Sequence, residues 1–404
     1  MKRNIIAIAA LALTISAASC RKELGGGEPP ANVPSSTTLQ GTYTESITLT
    51  SDRTWTLKGY VYVAQGAKLT IQPGTRIVSD ISEKGALCIE RGAQILAEGT
   101  ADRPIVFTSG RPDGEKSPGD WGGVVILGRA TTNRASEPTI EGGIGRPYGG
   151  QDDDDNSGVL RYVRIEYAGV AAMPNSEINA LTLGAVGRGT TIEYVQTIYA
   201  NDDAFEFFGG TVNCRNLYAW GTADDDYDFD FGYRGTIQNG VARRDPQFVD
   251  NGDAGNGVEC DNDGTGSSAQ PFTHPRMVGM VLVGPNDPAA LGNHNLGLRF
   301  RRATRFSITD SKVLGYQKGS FSVESNETAQ ALKDGTSTFR ANEVQSFDPT
   351  LNFRSTSTVI TPAEMRSAAL ALGSRETSYT KAQMDSLARP GWSAGWTRMP
   401  ARGQ

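Results

Sequence analysis

The chain has 404 residues, with 39 basic and 45 acidic side chains that give a formal net charge of −6. This acidic balance argues against nucleic acid and anionic lipid headgroups as partners. The two histidines, His274 and His294, are too few and too far apart in sequence for a zinc site or for a serine or cysteine triad.

The N-terminal segment has the order of a secretory signal. A basic pair is followed by an apolar run at 5–15 and by small residues at 16–19, directly before Cys20. The run is too short to span a bilayer. Small residues before a cysteine form a lipobox, so the pattern predicts a signal peptide at 1–19 and a diacylglycerol anchor on the sulfur of Cys20. The alternative is an ordinary secretory signal without a lipid.

Residues 20–40 are rich in Gly, Pro, Ser and Thr, which predicts a flexible tether between the lipid and a fold that starts at 41. No later stretch approaches membrane-spanning length, so we expect the lipid to be the only membrane contact. The other cysteines, Cys88, Cys214 and Cys260, are odd in number, and we expect no disulfide framework.

Short strand-like segments bounded by glycine recur along the chain. The segment at 66–71 is repeated at 92–97, about 26 residues later, and the segment at 191–200 is repeated at 212–221, roughly 22 residues later. Each alternates apolar with polar residues, so one face lines a core. The spacing predicts an all-β fold, a right-handed parallel β-helix over 41–325. A β-sandwich is the competing fold, but it has no reason to repeat at a fixed interval.

Past residue 325 the pattern changes. Thr361 followed by Pro362 predicts the start of a helix that stops at Gly373, and a second short helix is expected over 380–388. Since a solenoid must cover its last coil, residues 326–404 are predicted to form a capping region with short helices. The alternative, a catalytic second domain, would have to work without His or Cys in this region.

Several motifs resemble a group of right-handed parallel β-helix lipoproteins common in Bacteroidota. They lie at 120–123, 154–167, 201–210 and 225–228, with a further short match at 395–397. The resemblance covers about residues 41–325. It implies a β-helix on the outer membrane, which we expect to face outward, and it implies no particular reaction or ligand.

Acidic residues cluster at equivalent places in successive repeats. Glu206, Asp230 and Glu259 each stand between apolar residues on a strand, so the repeats predict an outward column of carboxylates about 4.8 Å apart. The other acids expected in this cluster are Asp202, Asp203, Asp225, Asp226, Asp228 and Asp261. Ca²⁺ takes six to eight oxygen ligands and suits this density of carboxylates. The alternative is a hydrated acidic turn region that needs no cation.

Basic and aromatic residues suggest how a ligand could be held. Arg299 and Arg301 share a strand face, either to form salt bridges with the acids or to bind an anionic glycan. Trp220 could stack on a sugar ring, or pack in the core. We therefore expect a lipid-anchored protein that binds polysaccharide or another surface partner, with Ca²⁺ as the expected cofactor. The alternative is a calcium-dependent polysaccharide lyase or another glycan-degrading enzyme, for which the sequence identifies no catalytic residue.

Overall fold

The computed structural model describes residues 31–140, 142–173, 176–252 and 255–403. The predicted signal peptide and Cys20 lie outside these residues. The strands, in chain order, are β1 Thr38–Tyr43, β2 Ile47–Leu49, β3 Thr54–Val63, β4 Lys68–Ile71, β5 Arg76–Ser79, β6 Leu87–Ile89, β7 Gln94–Glu98, β8 Ile105–Thr108, β9 Val124–Leu127, β10 Gly158–Glu166, β11 Ala171–Met173, β12 Ser176–Glu177, β13 Leu181–Gly184, β14 Thr191–Ile198, β15 Phe205–Phe208, β16 Cys214–Trp220, β17 Tyr227–Asp230, β18 Thr236–Gln238, β19 Val241–Arg243, β20 Val258–Cys260, β21 Arg276–Val278, β22 Val281–Val283, β23 Leu298–Phe300, β24 Ser307–Thr309, β25 Lys312–Tyr316, β26 Phe321–Val323, β27 Thr338–Arg340, β28 Glu343–Ser346, β29 Phe353–Ser355 and β30 Arg375–Glu376.

Apart from the small antiparallel pair β11–β12, these strands pair in parallel and stack into three faces. Sheet A runs through β2, β4, β7, β18, β21, β24 and β27, with the first halves of β10, β14 and β16 between β7 and β18. Sheet B runs through β5, β8, the second halves of β10, β14 and β16, and then β19, β22, β25, β28 and β30. Sheet C runs through β6, β9, β13, β15, β17, β20, β23, β26 and β29. The chain visits each face once per turn, and the predicted right-handed parallel β-helix is confirmed.

The core is built from the alternating residues of each strand. In sheet C, Phe205 stacks on Tyr227 with ring centroids 5.3 Å apart, and Phe207 stacks on Phe229 at 4.9 Å. Stacks of this kind repeat from coil to coil because equivalent side chains lie one strand spacing apart. The residues between them must point away from the core, and this places the acids of sheet C on its outer face.

The strand stack continues beyond the predicted boundary at residue 325. Helix α1, Asn326–Lys333, is an insertion between coils, after which β27 to β30 extend the three faces. The insertion hides the repeat in the sequence. The stack also begins slightly earlier than 41, since β1 starts at Thr38.

The two predicted helices of the capping region are present. Helix α2, Pro362–Ala371, begins after Thr361, and helix α3, Lys381–Leu387, begins after Thr380, and both threonines form capping boxes. Short 3₁₀ turns lie at Pro349–Leu351 and Gly391–Ser393. None of the helices in the described part of the chain is long and apolar enough to cross a membrane.

Residues 388–403, the C-terminal strap, run back along sheet B. The amide Nε2 of Gln196 donates a hydrogen bond to the carbonyl of Arg398 at 2.6 Å, and the indole Nε1 of Trp220 donates to the carbonyl of Pro400 at 3.1 Å. The strap covers the aromatic residues of sheet B, so the outer face of sheet C is on a different side of the solenoid.

Candidate cation and glycan site

The acidic column lies on the outer face of sheet C, with one member different from the prediction. Glu206 on β15 pairs with Asp228 on β17, which pairs with Glu259 on β20. Asp230 pairs with Phe208 instead, two positions further along the strand. The expected column of Glu206, Asp230 and Glu259 is therefore wrong in its middle residue. The prediction aligned the sequence at 205–207 with that at 229–231, since both have an acid between two phenylalanines. In the structure the first core residue of β17 is Tyr227, which pairs with Phe205, so the alignment shifts by two residues.

A ladder of side-chain hydrogen bonds fixes the turn that precedes these strands. The side-chain oxygen Oδ1 of Asn179 accepts from the backbone N–H of Asp203 at 3.2 Å, and Asp203 Oδ1 accepts from that of Asp225 at 2.9 Å. Asp225 Oδ1 then accepts from the N–H of Asn256 at 2.7 Å, and Asn256 Oδ1 from that of Leu296 at 3.1 Å. One carboxylate oxygen of each aspartate thus fixes the backbone of the next coil. The donors are neutral amides, so these hydrogen bonds bring no positive charge to balance the carboxylates.

Two overlapping triplets of carboxylates meet at Asp203. Single oxygens of Asp202, Asp203 and Asp224 all lie within 4.8 Å of one another, and so do those of Asp203, Glu206 and Asp228. The Nδ2 of Asn179 donates a hydrogen bond to Glu206. The geometry can therefore hold a hard cation in either triplet, with Asp203 shared between them.

Asp224 and Asn179 are members of this site that the sequence prediction missed. Asp224 stands in a run of three aspartates, and the sequence does not tell which of the three faces the cluster. Asn179 precedes β13 by the same two positions by which Asp203 precedes β15. That spacing is a signal which could have identified it.

The electrostatics of the triplets favour uptake of a cation or a proton. Burial, followed by the charges of Asp202 and Asp224, raises the pKa of Asp203 well above its usual value. Burial and Asp202 likewise raise the pKa of Asp224 to about 8. For Asp228 the causes of the raised pKa are burial and then Glu259. Asp228 Oδ1 is buried and accepts no hydrogen bond from the described residues. A divalent cation would remove the repulsion that these shifts express.

At the other end of the column arginines form ion pairs with the acids. Glu259 pairs with Arg299 at 3.2 Å and with Arg301, and Arg301 also contacts Asp261 at 2.9 Å. Asp261 has a second partner, Arg302, at 2.7 Å. Salt bridges to the acids, one of the two roles considered for Arg299 and Arg301, are thus what the structure contains. Cation binding at Glu259 and Asp261 would have to displace these arginines.

The remaining predicted residues occupy different places. Asp226 forms an ion pair with Arg244 at 3.1 Å, with both side chains fully buried, apart from either triplet. Asp225 belongs to the ladder. Trp220, predicted to stack on a sugar, lies on sheet B beneath the C-terminal strap, where the carbonyl of Pro400 accepts from its indole N–H.

Asp230 and Glu206 line a pocket of about 340 Å³ beside the triplets. Its other walls include Tyr148, Phe208 and Phe231, and Arg134 at the rim. Tyr148 and Arg134 come from the segment at 129–150, which no sequence motif connects with the site. No strand pattern marks that segment, so only its tertiary packing brings it here.

Comparison with known proteins supplies the family. A family model described as a pectate-lyase-like β-helix domain matches residues 41–397. No curated protein and no solved structure shows significant similarity to the chain. Because the model spans most of the chain and the three-faced parallel stack has the corresponding architecture, the chain belongs to the family of pectate-lyase-like β-helix domains.

Proposed function

We propose that this protein binds polysaccharide at the cell surface in a manner that depends on a divalent cation, with Ca²⁺ as the natural ion. The observation that carries the proposal is the pair of carboxylate triplets that share Asp203. They lie on the outer face of sheet C next to the pocket lined by Glu206, whereas Glu259 and Asp261 on the same face are paired with arginines. Oxygen ligands in this number suit Ca²⁺ better than a transition metal.

The proposed location is the outer membrane, with the lipid on Cys20 as the anchor and the protein facing outward. This part rests on the sequence alone, since the first 30 residues lie outside the described part of the chain. The tether predicted from the sequence, shortened by strand β1 that begins at Thr38, would hold the β-helix at a distance from the bilayer.

The test is calorimetric titration of Ca²⁺ into the mature protein, followed by a glycan array with Ca²⁺ or with chelator. We expect Ca²⁺ to bind and glycan signals to disappear in chelator. Asp228→Asn should weaken both. Asp154→Asn is the matched control, because Asp154 belongs to an acidic run with a side chain that is 80% exposed. An array with signals unaffected by chelator would contradict cation dependence.

A calcium-dependent polysaccharide lyase is the second candidate, and one observation favours it. An arginine, Arg134, lines the same pocket as Glu206 and Asp230. A lyase needs a base of this kind near an acid-bound cation. Arg301 is less suitable, because the neighbouring Glu259 and Asp261 outweigh burial and raise its pKa above the usual range. Ultraviolet absorbance of an unsaturated uronate product would reveal the elimination, and Arg134→Ala should abolish it.

A further inference from the structure

The pocket beside the triplets has a wall that is fixed before any ligand arrives. The hydroxyl of Tyr60 donates a hydrogen bond to the carbonyl of Gly142 at 2.7 Å, and that of Tyr62 donates to the carbonyl of Ile144 at 3.1 Å. Further along, Asn133 Nδ2 donates to the carbonyl of Asn262 at 2.7 Å. These bonds hold the segment at 129–150, Glu141 excluded, against sheet C. A pre-formed wall reduces the ordering cost of binding.

One side of the pocket is aromatic. The rings of Phe208 and Phe231 are stacked with centroids 5.7 Å apart and planes 21° from parallel. Tyr148 lies 6.3 Å from Phe208 and tilts by 40°. Such a wall offers flat apolar surface to the C–H face of a sugar ring. At about 340 Å³ the pocket lies at the small end of the range for ligand sites, roughly 300–1,000 Å³, and suits a single ring.

The opposite side is polar and acidic. Glu206 and Asp230 contribute two carboxylates, and Arg134, with its guanidinium 4.6 Å from the centroid of the Phe231 ring, contributes one positive charge. Asp230 Oδ1 accepts from the backbone N–H of Phe231 at 2.7 Å. Carboxylates accept hydrogen bonds from hydroxyl groups but repel a uronate or a sulfate. The pocket therefore favours an uncharged sugar.

Glu206 belongs both to the pocket and to the triplet with Asp203 and Asp228. Three carboxylates supply at most six oxygens, and two members of this triplet also accept hydrogen bonds within the protein. Asp203 serves the ladder, and Glu206 accepts a hydrogen bond from Asn179. A Ca²⁺ ion there has coordination positions left for two ligand oxygens.

We infer that this pocket binds one neutral pyranose unit, with two adjacent hydroxyls completing the coordination of the cation held by Asp203, Glu206 and Asp228. The inference rests on the proposed function and names the sugar unit that its cation site takes. It differs from the lyase alternative, which would require a uronate at this point.

The test is calorimetric titration of the mature protein with methyl glycosides of glucose, galactose and mannose and with methyl glucuronide, each in Ca²⁺ and in chelator. We expect a neutral glycoside to bind in Ca²⁺ at least tenfold more tightly than the glucuronide, and no binding in chelator. Phe231→Ala should weaken sugar binding at least tenfold and leave Ca²⁺ binding unchanged. Phe248→Ala is the matched control, because Phe248 is another half-buried phenylalanine beneath an arginine, on the sheet B side of the protein.

A second variant guards against misfolding of the first. Thr139 lines the pocket and is exposed, so Thr139→Trp should fill the pocket without disturbing the core. It should abolish sugar binding and preserve the Ca²⁺ titration. Ca²⁺ binding without binding of any neutral glycoside, or a preference for the glucuronide, overturns this inference and leaves the cation site in place. Absence of Ca²⁺ binding in the wild type overturns the proposed function itself.

Discussion

Replacing Asp203 by asparagine separates the two roles of this residue. Its Oδ1 accepts the ladder hydrogen bond from the N–H of Asp225 at 2.9 Å, and an asparagine oxygen can do the same. Its charge belongs to both carboxylate triplets and has no counterpart in asparagine. Asp203→Asn is therefore expected to keep the turn and to lose the cation.

The magnitude follows from mass action. A ligand at a hundred times its dissociation constant stabilises the folded state by about 2.7 kcal/mol. For the roughly 370 residues that the structure describes, the entropy of unfolding is about 0.8 kcal/mol per kelvin, so the wild-type melting temperature should rise by about 3–4 °C in Ca²⁺. In Asp203→Asn this rise should shrink to less than about 1 °C, because the variant loses a carboxylate from both triplets.

Without a bound cation, the charge of Asp203 is expected to destabilise the folded state. Burial and neighbouring carboxylates raise the folded-state pKa of Asp203, so the folded protein loses stability as the pH rises through that value. Asparagine removes this charge, and the variant in chelator at pH 8 should melt at or above the wild type. Asp203→Ala also removes the ladder acceptor and leaves the N–H of Asp225 unpaired, at a cost of about 1–3 kcal/mol in both buffers.

Differential scanning calorimetry in chelator and in millimolar Ca²⁺ measures all three proteins. The cation site at Asp203 is refuted if the wild type melts at the same temperature in both buffers. It is equally refuted if Asp203→Asn keeps the full calcium shift, because the ion would then lie elsewhere.

Four further predictions use other parts of the molecule. Trp396→Ala should lower the free energy of unfolding in urea by about 3–5 kcal/mol, since Trp396 is only 1% exposed, and a loss below about 1 kcal/mol would show that the strap adds little. Asp226→Asn should cost about 3–5 kcal/mol in the same assay, because it leaves Arg244 buried without a counter-ion, and a neutral effect would contradict the buried pair. Ca²⁺ affinity, measured by calorimetry, should fall as the pH drops from about 8.5 to 6, because protons compete with the ion for carboxylates such as Asp224, which has a pKa of about 8. An affinity that does not change with pH would argue against these ligands. Radiolabelled palmitate should enter the wild type but not Cys20→Ala, and label that survives in the variant would end the lipid assignment.

The sequence by itself determined the fold class and several local features. Alternating strands bounded by glycine identify a β-helix, because strand direction and side-chain alternation are properties of each short segment. The starts of α2 and α3 were likewise predictable, since Thr361 and Thr380 cap their helices within four residues. The buried, unpaired state of Cys88, Cys214 and Cys260 agrees with the expectation of no disulfide framework.

The acidic part of the site depended on tertiary structure in two ways. The register between coils decided that Asp228, and not Asp230, pairs with Glu206. A shift of two residues leaves every side chain on the same face of the strand, so the alternation of apolar and polar residues cannot reveal it. Packing gave different roles to members of the run of three aspartates. Asp226 pairs with the buried Arg244, and Asp224 belongs to the carboxylate triplet with Asp202 and Asp203.

The pocket is the clearest case of a feature decided by tertiary structure alone. Arg134 and Tyr148 reach it from a long connection whose sequence has no period, and the residues that hold this connection, Tyr60 and Tyr62, precede it by some 80 positions. Local sequence sets how a strand alternates and where a helix begins. Which distant segments meet depends on the free energy of the whole packed solenoid, and the meeting of those segments creates the site.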